Sequence, residues 1–126
     1  MRKRGIVGKD SRKQIDDIEE SMYSYARECK SDGDDCGYSP RHIRKCKKIL
    51  QTYLNYLGKM TAPTDGAIMT EVEKTVLALN RLNKKTDYAL IETDEREAIA
   101  EFIQTVAVAF GLREPDGDIT EEWREW

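Results

Sequence analysis

Apolar residues recur every three or four positions in four stretches of the chain, which is the spacing of one helix face. In the first stretch, Ile15, Ile18 and Met22 keep this spacing. The acidic pairs at 16–17 and 19–20 interrupt the alternation that a strand would need. The pattern therefore predicts four α-helices, which cover about 11–30, 40–57, 65–83 and 95–110.

Capping residues and helix breakers agree with these boundaries. Ser39 is followed by Pro40, and proline is favoured at the first helical position. Gly58 fits the end of the second helix, because glycine adopts the left-handed conformation of a C-terminal cap at little steric cost. Asp94 and Glu97 form a pair like a capping box at the start of the fourth helix. Each glycine and proline thus falls in a tail, a loop or a first turn.

The two ends of the chain complete the predicted domain. Asp118 is a suitable N-cap for a short final helix, on which Trp123 and Trp126 share one face. Residues 1–9 are basic and lack apolar periodicity, so we expect a flexible basic arm there. Residues 10–126 predict a single all-α domain, an antiparallel bundle of four main helices plus a short C-terminal helix.

The composition fits such a bundle. Of the 126 residues, 39% are hydrophobic and 36% are charged, which suits helices with one apolar stripe and a broad solvated face. No apolar stretch reaches the ~20 residues of a membrane span, and the basic residues 2–4 are not followed by the apolar core of a signal peptide. We therefore expect no membrane contact and a cytoplasmic location. The three cysteines, an odd number, are expected to be free thiols.

Charge is unevenly distributed along the chain, whose formal net charge is −3. Residues 1–58 carry 13 basic and 9 acidic side chains, whereas residues 59–126 carry 8 and 15. Such a distribution either lets the two halves attract each other in the fold or presents two different surfaces to partners.

Glutamates near the start of the fourth helix are the first candidate partner-binding residues. Glu95, Glu97 and Glu101 favour the positive end of the helix dipole, and this role accounts for them without a partner. The same charges would attract a basic protein, as in a stoichiometric inhibitor of a basic nuclease. Trp123 and Trp126 are the second candidates, because tryptophans either close a core or anchor a partner or a homodimer.

Cations on the second helix indicate an alternative function. At intervals of three and four, this helix carries Arg41, Arg44, Lys45 and Lys48. Such a stripe suits nucleic-acid phosphates or an acidic protein. A solvated face that pairs with the acidic half of the chain accounts for the same residues, and the pI near 5.3 is unlike that of most nucleic-acid binders.

A set of soft ligands indicates a second alternative, a structural zinc site. The candidate ligands are Cys29, Cys36, His42 and Cys46. His42 and Cys46 lie one turn apart on the second helix, and a helical hairpin would bring the other two near them. Against this, six residues separate Cys29 from Cys36, where zinc sites have about two to four. Cys29 and Cys46 also fall on apolar stripes, as free core cysteines do.

Catalytic motifs are missing from the sequence. It contains no phosphate-binding glycine loop, no G-x-S-x-G elbow and no H-E-x-x-H pair, and it has a single histidine. We therefore expect a non-enzymatic protein-binding module without a cofactor, such as a small bacterial inhibitor, immunity or adaptor protein. The alternatives are a nucleic-acid-binding protein that uses the basic face of the second helix and a zinc-stabilised helical hairpin.

Overall fold

The computed structural model contains four helices. It describes the backbone of residues 2–113 and 115–126 and the side chains of residues 10–113 and 115–126. In chain order the helices are α1 (Arg2–Ser31), α2 (Pro40–Lys59), α3 (Asp65–Lys85) and α4 (Thr93–Ala109). The described residues contain no strand, which confirms the prediction of an all-helical chain with four main helices. Over the same residues, no helix is long and apolar enough to cross a bilayer.

The first helix is longer than predicted. It begins at Arg2, whereas the apolar spacing indicated a start near Ser11 because that spacing gives no signal earlier in the chain. The side chains of residues 1–9 lie outside the described part, so the flexible basic arm stays a prediction.

Two predicted helix ends are wrong. The second helix continues past Gly58, and its capping residue Met60 has an extended backbone (φ −71°, ψ 140°) in place of a left-handed one. The fourth helix begins at Thr93 with Glu92 as its N-cap, so Asp94 lies in the first turn. Apolar spacing locates a helix, but it does not decide which of several neighbouring polar residues ends it.

The short C-terminal helix is replaced by turns at residues 119–123. The Trp123 N–H donates to the Thr120 carbonyl at 3.2 Å, which is the pattern of a turn. The buried side chain of Asn80, on α3, forms two hydrogen bonds with backbone groups of this C-terminal segment. Its Nδ2 donates to the Trp123 carbonyl at 2.8 Å, and its Oδ1 accepts from the Glu125 N–H at 3.0 Å. The Arg124 N–H also donates to the Thr120 carbonyl at 3.0 Å, so the segment forms a single turn that does not continue as a helix.

The core lies where the four apolar stripes meet. The α1 helix packs against α2 and α4, and α3 packs against the same two helices. Tyr53 of α2 is buried in this core, where its ring meets Phe102 edge to face with 6.1 Å between the centroids. Its hydroxyl donates to the Ile103 carbonyl of α4 at 2.7 Å, so α2 and α4 are joined through the core.

Tyr53→Phe removes this hydroxyl and keeps the ring. We expect the free energy of unfolding to fall by about 1 kcal/mol, the typical net contribution of a hydrogen bond. Tyr56→Phe is the matched control on the same helix, because Tyr56 is 55% exposed, and should change stability by less than about 0.5 kcal/mol. Urea denaturation followed by circular dichroism measures both variants. Equal effects would contradict the role given to the buried hydroxyl.

Alanine substitutions at two glycines should have opposite effects on thermal unfolding. Gly37 has φ +88°, and an added Cβ would lie 2.8 Å from the Cβ of Ala89, so we expect a loss of about 1–2 kcal/mol. Gly58 lies within α2 with nothing within 4 Å of an added Cβ, so alanine should stabilise the chain by about 0.4–1 kcal/mol. A Gly37→Ala variant as stable as the parent would mean that the two loops do not approach as described.

Candidate binding groove between α2 and α3

A groove of about 630 Å³ lies between α2 and α3. This volume is within the range of protein ligand pockets, roughly 300–1,000 Å³. Its apolar part is formed by Ile49 and Tyr53 of α2 and by Ala78 and Leu82 of α3. Tyr56 also lines the groove, and 55% of the surface of this tyrosine is exposed. The groove therefore combines an apolar floor with open access from solvent.

Basic side chains line both walls of the groove. They are Lys45 and Lys48 from α2 and Lys74, Arg81 and Lys85 from α3. Glu71 is the only carboxylate among the lining residues, and it pairs with Lys74 at 3.2 Å. Within the described part of the chain, no carboxylate lies within ion-pairing distance of the other four, which we call the groove cations: Lys45, Lys48, Arg81 and Lys85.

Helical spacing explains why these cations converge. On α2, Lys45 and Lys48 lie on one face, three residues apart, and the same face continues to Tyr56. On α3, Arg81 and Lys85 lie four residues apart on a face that packs beside α2. The cations of α2 are predicted from the sequence, whereas those of α3 are not. The spacing on α3 was visible in the sequence, but the adjacency of the two helices was not.

His42 lies about one turn before Lys45 on α2, just beyond one end of the groove, which it does not itself line. Its Nδ1 accepts a hydrogen bond from the Ser39 N–H at 3.0 Å, which caps the start of α2. Desolvation lowers the pKa of His42 below its usual 6.5, and the positive charges of Arg41, Lys45 and Lys85 lower it further. Two of the groove cations, one from each wall, therefore act on this ring.

Only some of the basic residues predicted on α2 line the groove. Lys45 and Lys48 line the groove, whereas Arg44 is exposed on α2 and does not line it. Their neighbour Lys47 points to α1, where its Nζ lies 3.0 Å from Glu19 and 3.5 Å from Asp16. Part of the basic face is thus used inside the chain, and the acids that it meets are in α1, not in the acidic C-terminal half.

One glutamate of the acidic contact surface predicted on α4 is largely buried. Glu95 is only 8% exposed, and it accepts a hydrogen bond from the Ser21 hydroxyl of α1 at 2.9 Å. Its carboxylate joins two helices, and Glu95 also lines the small groove described next. Glu97 and Glu101 are exposed, and Glu101 lines a smaller groove of about 190 Å³ together with Asp17 of α1. A role of these two glutamates in partner binding stays a prediction.

Both predicted tryptophan anchors pack against the core with only part of their surface exposed. Arg124 lies over the ring of Trp126, 5.4 Å from its centroid, and pairs with Asp118 at 3.2 Å. The backbone of Trp123 is held by Asn80. These contacts fit the interpretation that the tryptophans close the core. Their use by a partner or in a homodimer stays a prediction.

The four candidate zinc ligands do not converge on one point, and each has different surroundings. Cys46 is fully buried, and desolvation raises its pKa to about 12. Cys36 donates its thiol hydrogen to the Tyr38 carbonyl at 3.2 Å, while Cys29 is half-buried and His42 caps α2. Among the described residues, no three histidine, cysteine, aspartate or glutamate side chains come together as metal ligands do. The geometry gives the zinc alternative no support.

The family of the chain is shown by sequence comparison. Residues 17–126 match the family described as "Family of unknown function (DUF5713)", and the chain belongs to that family. The matched range contains both helices of the groove. No curated protein and no solved structure matches the chain.

A proton NMR titration can test the position of His42, because the chain has one histidine and its C2 proton gives one signal. We expect a midpoint below pH 6.5 in the parent. Lys85→Gln should raise this midpoint, because one of the positive charges near the ring is removed. Lys84→Gln is the matched control and should leave it in place. A parent midpoint at or above 6.5 would contradict the described surroundings.

The same titration has a consequence for stability. Because the folded pKa of His42 lies below that of the unfolded chain, the unfolded state binds this proton more readily. The contribution of His42 to stability is therefore complete above pH 6.5 and is lost as the pH falls from there through the folded pKa. Urea denaturation across this range, compared with a His42→Gln variant, measures it.

Proposed function

We propose that this chain is a non-enzymatic protein-binding module that binds an acidic, partly apolar segment of a partner protein in the groove between α2 and α3. The observation that carries this proposal is the set of four groove cations beside an apolar floor. No carboxylate of the described residues forms an ion pair with any of the four. Charges left unpaired around an apolar surface are a common feature of protein interfaces, where an apolar centre has a polar rim.

The apolar floor favours a protein segment over a nucleic acid. Ile49, Ala78 and Leu82 offer contacts to aliphatic side chains, which a sugar-phosphate backbone does not carry. The formal net charge of −3 also opposes general attraction to a polyanion, whereas a short acidic segment meets mainly the local charge of the groove. Both features support a partner with carboxylates and apolar side chains together.

The proposed partner is acidic, although the glutamates of α4 suggested a basic one. Glu95 is buried, and the remaining glutamates do not line a cavity as large as the basic groove. A cytoplasmic location and a role as a small bacterial inhibitor, immunity or adaptor protein stay part of the proposal. The antiparallel arrangement of the helices is also part of the proposal. It is supported by the joint action on His42 of Lys45, near the start of α2, and Lys85, at the end of α3.

A nucleic acid is the second candidate occupant. Exposed Tyr56 lines the same groove as Lys48, about two helical turns away, so a base would stack on the tyrosine while the lysine binds a phosphate of the same strand. In that case the cations outside the groove, such as Arg44, would also contribute, because phosphates extend along the whole strand.

Two double variants with the same change in net charge separate these functions. Lys48→Glu with Arg81→Glu reverses one groove cation on each wall. Arg44→Glu with Lys84→Glu reverses two exposed cations outside the groove. The probes are a labelled synthetic peptide rich in glutamate and leucine and a labelled single-stranded oligonucleotide of mixed sequence. Fluorescence anisotropy at low and moderate salt measures their affinities.

We expect the parent to bind the peptide, and the groove variant to bind it at least about tenfold more weakly. The control variant should stay close to the parent, and the affinity of the parent should fall as salt screens the groove. Equal losses in both variants would contradict the groove as the site. An oligonucleotide that binds more tightly than the peptide and loses affinity through Arg44→Glu would favour the nucleic-acid function.

A further inference from the structure

The length of the groove suits about three turns of a helix. Its α2 wall extends from Lys45 to Tyr56, and its α3 wall extends from Lys74 to Lys85. Each wall spans twelve residues, and the eleven steps between its ends correspond to about 16 Å at about 1.5 Å per residue. An occupant that contacts the whole groove therefore needs only a short helical segment.

The walls favour a helical occupant over an extended one. Both walls are helices, so their backbone N–H and C=O groups are bonded within each wall, and the described chain has no strand edge that an extended peptide could join. An extended segment buried here would leave its own backbone groups without partners, whereas a helix bonds them internally. The small side chain of Ala78 also lets another helix approach α3 closely.

Charge differs between the two ends of the groove. At the His42 end, Lys45 and Lys85 form no ion pair with a carboxylate of the described part of the chain. Arg41 adds its charge to theirs. At the other end, Lys74 is paired with Glu71. Carboxylates of an occupant are therefore attracted to the His42 end. The carboxyl end of a helix, which carries the negative end of its dipole, is attracted to the same place.

We propose that the partner segment binds as an acidic amphipathic helix of about three turns, which packs between α2 and α3 as a fifth helix with its carboxyl end beside His42. This inference rests on the proposed function and adds the form and direction of the bound segment. Its apolar side faces Ile49, Ala78 and Leu82, and its glutamates face the groove cations.

Two synthetic peptides of identical composition test the helical form. In the first, leucine and glutamate recur at intervals of three and four, and in the second they alternate. We expect the first to bind at least about tenfold more tightly and to gain helical circular dichroism on binding. Equal affinity of the two peptides, or tight binding without a gain in helicity, would overturn the helical form and leave the groove as the site. Binding of neither would overturn the proposed function as well.

The direction can be read from the single histidine. A nitroxide label at the carboxyl end of the first peptide should broaden the C2 proton signal of His42 strongly, and a label at the amino end should broaden it much less. The reverse result, or equal broadening by both labels, would overturn the proposed direction. Lys48→Glu with Arg81→Glu is the control, because it should abolish broadening by either label without moving His42.

Discussion

Burial of one apolar stripe fixes the rotation of α2, and this rotation decides where each cation of the helix points. Leu50 and Tyr53 are almost completely buried, and exposing side chains of this size costs about 1.5–3 kcal/mol each. A shift of one residue turns a helix by about 100° and would expose the stripe. With the stripe held in the core, Lys47 faces α1, while Lys45 and Lys48 face α3. The groove is thus a consequence of core packing.

The two flanks of α2 meet opposite charges. Towards α1, Lys47 lies within 4 Å of Asp16 and Glu19, so attraction supports the packing of these helices. Towards α3, Lys45 and Lys48 meet further cations, and this repulsion stays small while water and salt screen it. An anionic occupant would remove the repulsion and add attraction. Both effects grow as the occupant excludes water from the groove.

The number of helices and their buried faces could be predicted, because both follow from local spacing. Met22 and Cys46 are buried as their positions on the stripes indicated. The groove could not be predicted, because the cations of α3, such as Lys74, gain their significance only from the neighbouring helix. Polar residues in the interior were missed for a related reason. Glu95 and Asn80 are buried because each finds hydrogen-bonding partners on a distant segment, and residue type alone does not reveal those partners.

The charge asymmetry between the two halves of the sequence does not describe the folded surface. The groove cations come from both halves, since Lys45 and Lys48 precede residue 59 while Arg81 and Lys85 follow it. Packing of α2 against α3 brings them together in a chain whose formal net charge is −3. A partner at a distance meets the weakly negative total, and a partner at the groove meets a local positive potential. The local charge of the groove thus differs in sign from the total charge of the chain, and it arises from the packing of two helices and not from the order of charges along the sequence.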